Sequence, residues 1–280
     1  MAYRTLLVHL DAHPRCTERS RVAIGLAKSL DCHLVGVAAT GLIELPAAPA
    51  AAAALAAFAD RAWDALVLQA VAAAQRFEAE CRAAGLMGFE AIVDKADVAQ
   101  SLVRHAHGAD LTLLTQADPA EADHSQRQAL VEQLLFHSAR PTLVLPCSGR
   151  IAPIGTQVLV AWDDSREAAR AVADALPLLR RAERVRLLRW IEGGEGDTTA
   201  LRERLGAQVR WLARQGVRAE AQLEPRGGPV AESMLASAAG FGADLIVMGA
   251  YGHSRWAERL LGGATRGLMH SMTVPVLMSH

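Results

Sequence analysis

Gly108-Ala-Asp-Leu-Thr-Leu-Leu114 recurs later in the chain as Gly242-Ala-Asp-Leu-Ile-Val-Met248. In each copy a short apolar run follows a Gly-Ala-Asp turn, as at the start of a buried strand. Two more pairs keep the same order. Thr5-Leu-Leu-Val-His-Leu-Asp11 matches Gln157-Val-Leu-Val-Ala-Trp-Asp163, and Arg140-Pro-Thr-Leu-Val-Leu145 matches Val274-Pro-Val-Leu-Met278. The chain is therefore a tandem repeat. Asp11 and Asp163 stand 152 apart and Pro141 and Pro275 stand 134 apart, so the first copy carries 18 extra residues. The Ala-rich stretch after Gly41 accounts for them and reads as a loop followed by a helix start.

Within each copy, apolar runs alternate with amphipathic segments. The first copy predicts strands over 4–10, 33–39, 88–94, 110–115 and 142–146. The second predicts strands over 157–161, 185–191, 217–223, 243–249 and 274–278, and helices over 165–181, 198–215, 229–239 and 263–271. Ser165 and Asp97 stand at N-cap positions, and Pro229 at a first helical position. Strand–helix alternation with few polar interruptions implies right-handed crossovers and sheets covered on both faces. The expected class is α/β: two homologous doubly wound (Rossmann-like) domains, each a five-stranded parallel sheet of order 3-2-1-4-5 flanked by helices. The expected domains are 1–147 and 154–280, joined near Cys147 to Ile154.

Composition narrows the function. The chain has 280 residues, 51% of them hydrophobic, and a net charge of -1, so neither nucleic acid nor membrane is an expected partner. The longest uncharged stretch, Leu45 to Ala59, is too short to span a bilayer, and no export signal precedes it, so the expected location is cytoplasmic. Cys16, Cys32, Cys81 and Cys147 are scattered, which fits packing residues in a reducing compartment and no metal site.

In an open parallel sheet, ligands bind beyond the strand ends where the strand order reverses. In the second copy that place lies between the first strand, where Ala161 leads into Trp162-Asp163-Asp164, and the fourth, ending Met248-Gly249, so the acidic pair and the glycine loop are expected to face one crevice. Asp163 can accept from ribose hydroxyls, or it is a turn residue. Gly249 and Gly252 allow close approach to a phosphate, or simply turn the chain. Gly262, Gly263, Ala264 and Thr265 open the last helix, whose N-terminal N–H groups favour an anion. His253 and Arg255 either meet phosphate or are solvated loop residues. Trp190 either stacks on a base or lines the pocket.

Rival chemistries lack their residues. The only lysines are Lys28 and Lys95, so no Walker loop exists, and Gly252-His-Ser-Arg-Trp256 breaks the nucleophile-elbow pattern. His9 and His13, like His105 and His107, have no metal-ligand spacing on a common helix face. The first copy keeps Asp11 but replaces the glycines with Thr115-Gln-Ala-Asp-Pro119, and Asp118 and Glu121 would repel phosphate. Its site is expected to be empty or to take another ligand.

These residues resemble the universal stress protein family in its tandem two-domain form. Gly249, Gly252 and Gly262 match the family's G-x2-G-x9-G-[ST] motif, and Asp163 its strand-end aspartate. Gly263 departs from the Ser or Thr of the motif; Thr265 lies two positions on. The resemblance implies ATP or a related adenine nucleotide, with Mg2+ at the phosphates, in the second domain. Met248 and Gly249 would lie near base and ribose, and Gly262 to Ala264 around phosphate. It also implies pairing through the last strands, here an intrachain pseudo-dimer of 142–146 with 274–278, with a homodimer as an open alternative. The expected role is a stress-response protein that is not an enzyme, with little or no turnover. The alternatives are a nucleotide-free interaction module and a slow partner-dependent ATPase.

Overall fold

The computed structural model describes residues 2–41, 53–191, 198–252 and 263–280. The chain divides into two compact units: residues 4–113, and residues 1–3 with 114–280.

In the first unit, β1 (Thr5–His9), α1 (Cys16–Leu30), β2 (His33–Ala39), α2 (Ala53–Ala83), β3 (Phe89–Asp94) and α3 (Val98–Ala106) lead into β4 (Leu111–Thr115). The strands are all parallel, in the order β3-β2-β1-β4. The Ala-rich insertion is expressed as length in α2, which has 31 residues where its counterpart in the second copy has 16; residues 42–52 lie outside the described residues. Gly36 sits beneath α2, where a Cβ would meet the Phe77 ring at 2.7 Å, so only glycine lets this helix lie on β2.

The other unit starts with α4 (His124–His137) and β5 (Thr142–Leu145), which belong to the first copy in sequence. The second copy follows as β6 (Gln157–Ala161), α5 (Arg166–Leu179), β7 (Arg184–Ile191), α6 (Thr199–Arg214), β8 (Ala219–Pro225), α7 (Val230–Phe241), β9 (Leu245–Gly249), α8 (Gly263–Ser271) and β10 (Val276–Ser279). Its five strands are parallel, in the order β8-β7-β6-β9-β10. This is the expected 3-2-1-4-5 winding. β5 joins β10 antiparallel, with Leu143 opposite Leu277, so 142–146 and 274–278 do meet.

The recurring Gly-Ala-Asp turn has one job in both copies. Asp110 accepts from the backbone N–H groups of Arg4 and Thr5, and Asp244 from those of Gly155, Thr156 and Gln157. Each carboxylate ties the turn before the fourth strand to the start of the first strand beside it.

Helix starts follow the sequence closely. Asp97 Oδ1 accepts from Ala99 N at 3.0 Å and Gln100 N at 3.1 Å, and Ser165 Oγ accepts from Ala168 N at 3.1 Å. Pro229 is a correction: it stands one position before its helix, with ψ 140°, because α7 takes its first helical residue at Val230. Cys16, Cys32 and Cys81 are buried, Cys147 is half-buried, and burial pushes the Cys32 and Cys81 thiols up to about 11.

Candidate functional site

β6 and β9 are hydrogen-bonded neighbours with Val160 opposite Val247. The chain leaves β6 into α5 and β9 into α8, and the strand order reverses between them. Ala161 ends β6, Trp162 and Asp163 follow, and Met248 and Gly249 end β9. These residues therefore project from the same end of two adjacent strands, the usual ligand position in such a sheet.

Asp163 is exposed. Its Oδ1 accepts from Ser165 N at 3.0 Å and from Ser165 Oγ at 2.5 Å, and among the described residues Oδ2 receives no hydrogen bond. The next residue, Asp164, adopts a left-handed φ of 63° and turns its carboxylate away, toward the Trp162 indole nitrogen at 2.8 Å and Arg189 at 2.8 Å. Both acids are exposed, but the Asp164 oxygens already accept from Trp162 and Arg189, which leaves Asp163 Oδ2 as the uncommitted acceptor of the pair. Trp162 is buried beside it. Trp190 is half-buried, and its indole nitrogen donates to Ser237 Oγ on α7 at 3.3 Å.

The glycines have tertiary reasons. A Cβ on Gly249 would lie 2.5 Å from Ala168 N and 2.6 Å from the Glu167 carbonyl carbon, so the first turn of α5 presses directly on the end of β9. A Cβ on Gly252 would lie 3.1 Å from Glu167 Oε2. Neither glycine has a positive φ; the left-handed residue of the turn is Tyr251, at φ 54°. Met248 is buried in β9.

Glu167 is the group that sequence reasoning misses. Its carboxylate is 2% exposed and lies beside the glycine turn, bonded to Arg166 at 2.5 Å. Burial pushes its pKa up, but the Arg166 hydrogen bond, its own backbone N–H and the charges of Arg166 and His280 outweigh that and hold it below the ordinary value. A residue inside the first turn of an amphipathic helix carries no sequence signal that it will be buried under a distant loop.

At the head of α8, Gly263 is exposed and Ala264 half-buried, and the first-turn N–H groups lack intrahelical partners. Thr265 is buried, and its Oγ1 accepts from Tyr251 N at 3.3 Å. Its hydroxyl thus braces the glycine turn from below. His253, Arg255 and Gly262 lie outside the described residues.

The universal stress protein family model matches residues 156–280. The second copy is a universal stress protein domain. The whole chain is similar in fold to a universal stress protein from Archaeoglobus fulgidus DSM 4304, at 17% identity and TM-score 0.73, covering 98% of this chain and 95% of that one. It is likewise similar to a protein of unknown function from Pseudomonas aeruginosa PAO1, at 16% identity and TM-score 0.57, covering 99% and 92%. No curated protein sequence matches the chain. Both structural matches span both copies, so the likeness in fold extends over the first copy as well.

The first copy uses its corresponding residues differently. Asp11 is bound by Arg19, whose Nη2 donates at 2.8 Å while its Nε donates to His9 O at 2.7 Å; Arg19 is 1% exposed. The matching position in the universal stress protein domain is Ala171. In the other unit, Gln116 stands where that domain has Ala250. Its amide is buried, donating to Met269 O at 2.8 Å and accepting from Cys147 N at 3.0 Å. The strand-end aspartate and the former loop have both become packing elements.

Among the described residues, no helix is long and apolar enough to cross a membrane, and no group of three or more His, Cys, Asp or Glu could hold a metal ion.

Proposed function

We propose that the universal stress protein domain binds ATP or a related adenine nucleotide across the ends of β6 and β9, in the cytoplasm, as a signal and without turnover. The observation that carries this reading is the placement of Asp163 and the Gly249–Gly252 turn on neighbouring strands at the reversal of strand order. Asp163 is exposed, and its Oδ2 would accept from a ribose hydroxyl. The first turn of α8 offers N–H groups to phosphate, and Mg2+ would accompany the phosphates rather than rest on a protein cluster. The lack of any lysine between residues 151 and 280 removes the usual cation for phosphoryl transfer and favours binding over hydrolysis.

The test is a titration with ATP, ADP and AMP followed by Trp fluorescence, since Trp162 adjoins Asp163 and Trp190 lies on the adjacent strand. A saturable response that Gly252→Val abolishes is expected. No response in the natural protein would overturn the reading, and phosphate release above a Gly249→Val control would overturn its non-enzymatic part.

A second reading, a nucleotide-free interaction module, has one specific support. Gly249 and Thr265 are both accounted for by packing, Gly249 against α5 and Thr265 under Tyr251. Native mass spectrometry of the purified protein separates the two readings by reporting bound nucleotide and oligomeric state together.

A further inference from the structure

Tyr251 is held at three points, by its N–H, its ring and its hydroxyl, and its neighbour Ala250 is held as well. Its N–H donates to Thr265 Oγ1 on α8, and the adjoining Ala250 N donates to Ser279 O at 2.8 Å, beyond which His280 Nδ1 lies 3.0 Å from Ala250 O. Its ring lies 4.8 Å from that of Phe136, which in turn meets His280 at 4.8 Å. Its hydroxyl donates to Glu132 Oε1 at 2.9 Å. Phe136 and Glu132 are both on α4, one helical turn apart, so one face of that helix grips both the ring and its hydroxyl. Arg266 on α8, 3.4 Å from the same carboxylate oxygen, fixes Glu132 in turn.

A tyrosine at φ 54° is in a region that side-chain-bearing residues seldom adopt, and such a residue persists only where its surroundings over-determine it. Released from Glu132, the turn would relax toward ordinary φ values and carry the N–H groups of 250–252 with it. Those groups stand at the end of β9, beside the head of α8.

We propose that Glu132, which lies 119 residues before Tyr251 in the chain, is a positioning residue for the universal stress protein domain. Through the Tyr251 hydroxyl it holds the glycine turn in its ligand-ready shape. The first copy's last helix thereby serves as part of the frame of the second copy's site. The consequence for affinity rests on the nucleotide reading above; the hold on the turn does not.

The test uses the full chain and four variants: Tyr251→Phe, Glu132→Ala, Glu132→Gln and the double variant Tyr251→Phe/Glu132→Ala. Hydrogen exchange at the amides of 250–252 reads the turn without any ligand. About tenfold faster exchange in Tyr251→Phe and in Glu132→Ala is expected, no further gain in the double variant, and near-natural rates in Glu132→Gln, whose amide oxygen still accepts the hydroxyl. ATP affinity by calorimetry should follow the same pattern, about tenfold weaker in each single variant and no weaker in the double. Unchanged exchange in the folded single variants, or additive effects in the double, overturns the proposal. Faster exchange with unchanged ATP affinity overturns the link from turn to ligand. If the natural protein binds no nucleotide, the functional reading fails, and exchange alone decides whether Glu132 holds the turn.

Discussion

The backbone nitrogen of Ala168 occupies the space that a Cβ on Gly249 would need, 2.5 Å away. Strand β9 contributes no side chain there, and the backbone and Glu167 Cβ of helix α5 press directly on its end. The glycine that looks like part of a phosphate loop is first of all the contact that lets α5 bring Ser165 and Glu167 up to the site.

Gly249→Ala must therefore displace α5 or bend β9. A loss of about 2–3 kcal/mol is expected from this overpacking, read as a lower urea midpoint at unchanged slope. Gly252→Ala meets only the end of a side chain, Glu167 Oε2 at 3.1 Å, and should cost about 1 kcal/mol or less. Equal losses in the two variants would contradict this assignment.

Thr265→Val removes the acceptor of the Tyr251 N–H while keeping the side chain's shape. The half-buried donor left behind predicts a loss of about 1 kcal/mol, and Thr265→Ser should recover most of it. Thermal melts of the three proteins, with exchange at the Tyr251 amide, check both statements.

Glu167 makes the domain acid-sensitive. Its folded pKa lies below the ordinary 4.5, so its contribution is complete above that value. As pH falls through the window beneath 4.5, the unfolded chain takes up a proton that the folded chain refuses, and stability drops until the folded group is protonated too. In urea titrations at a series of pH values, Glu167→Gln should flatten the decline below about 4.5. An unchanged slope would show that other carboxylates dominate.

Arg19→Met leaves Asp11 without its buried cation. The expected cost is about 3 kcal/mol, and adding Asp11→Asn should restore part of it, since breaking such a pair costs more than removing both members. Because Asp11 is committed to Arg19, neither variant should alter any nucleotide response of the second copy.

Much of this architecture is legible in the sequence because it depends on local pattern. Apolar runs mark strands, and the N-caps Ser165 and Asp97 act within three residues of themselves. The Gly-Ala-Asp repeat announces the duplication. The predicted placement of Asp163 and Gly249 on neighbouring strands follows from strand order, which right-handed crossovers restrict to few choices. The burial of Glu167, the bracing role of Thr265 and the use of Arg19 were not legible. Each depends on which side chain another element brings close, and no periodicity encodes that.

The sequence by itself determined a tandem α/β chain with one surviving glycine motif, because repeats, strand runs and turn glycines act over a few residues. Only the tertiary structure decided what that motif is made of. Glu132 and Tyr251 are 119 residues apart in the chain and 2.9 Å apart in space, and a hydrogen bond of that kind exists only once α4 has packed against the turn.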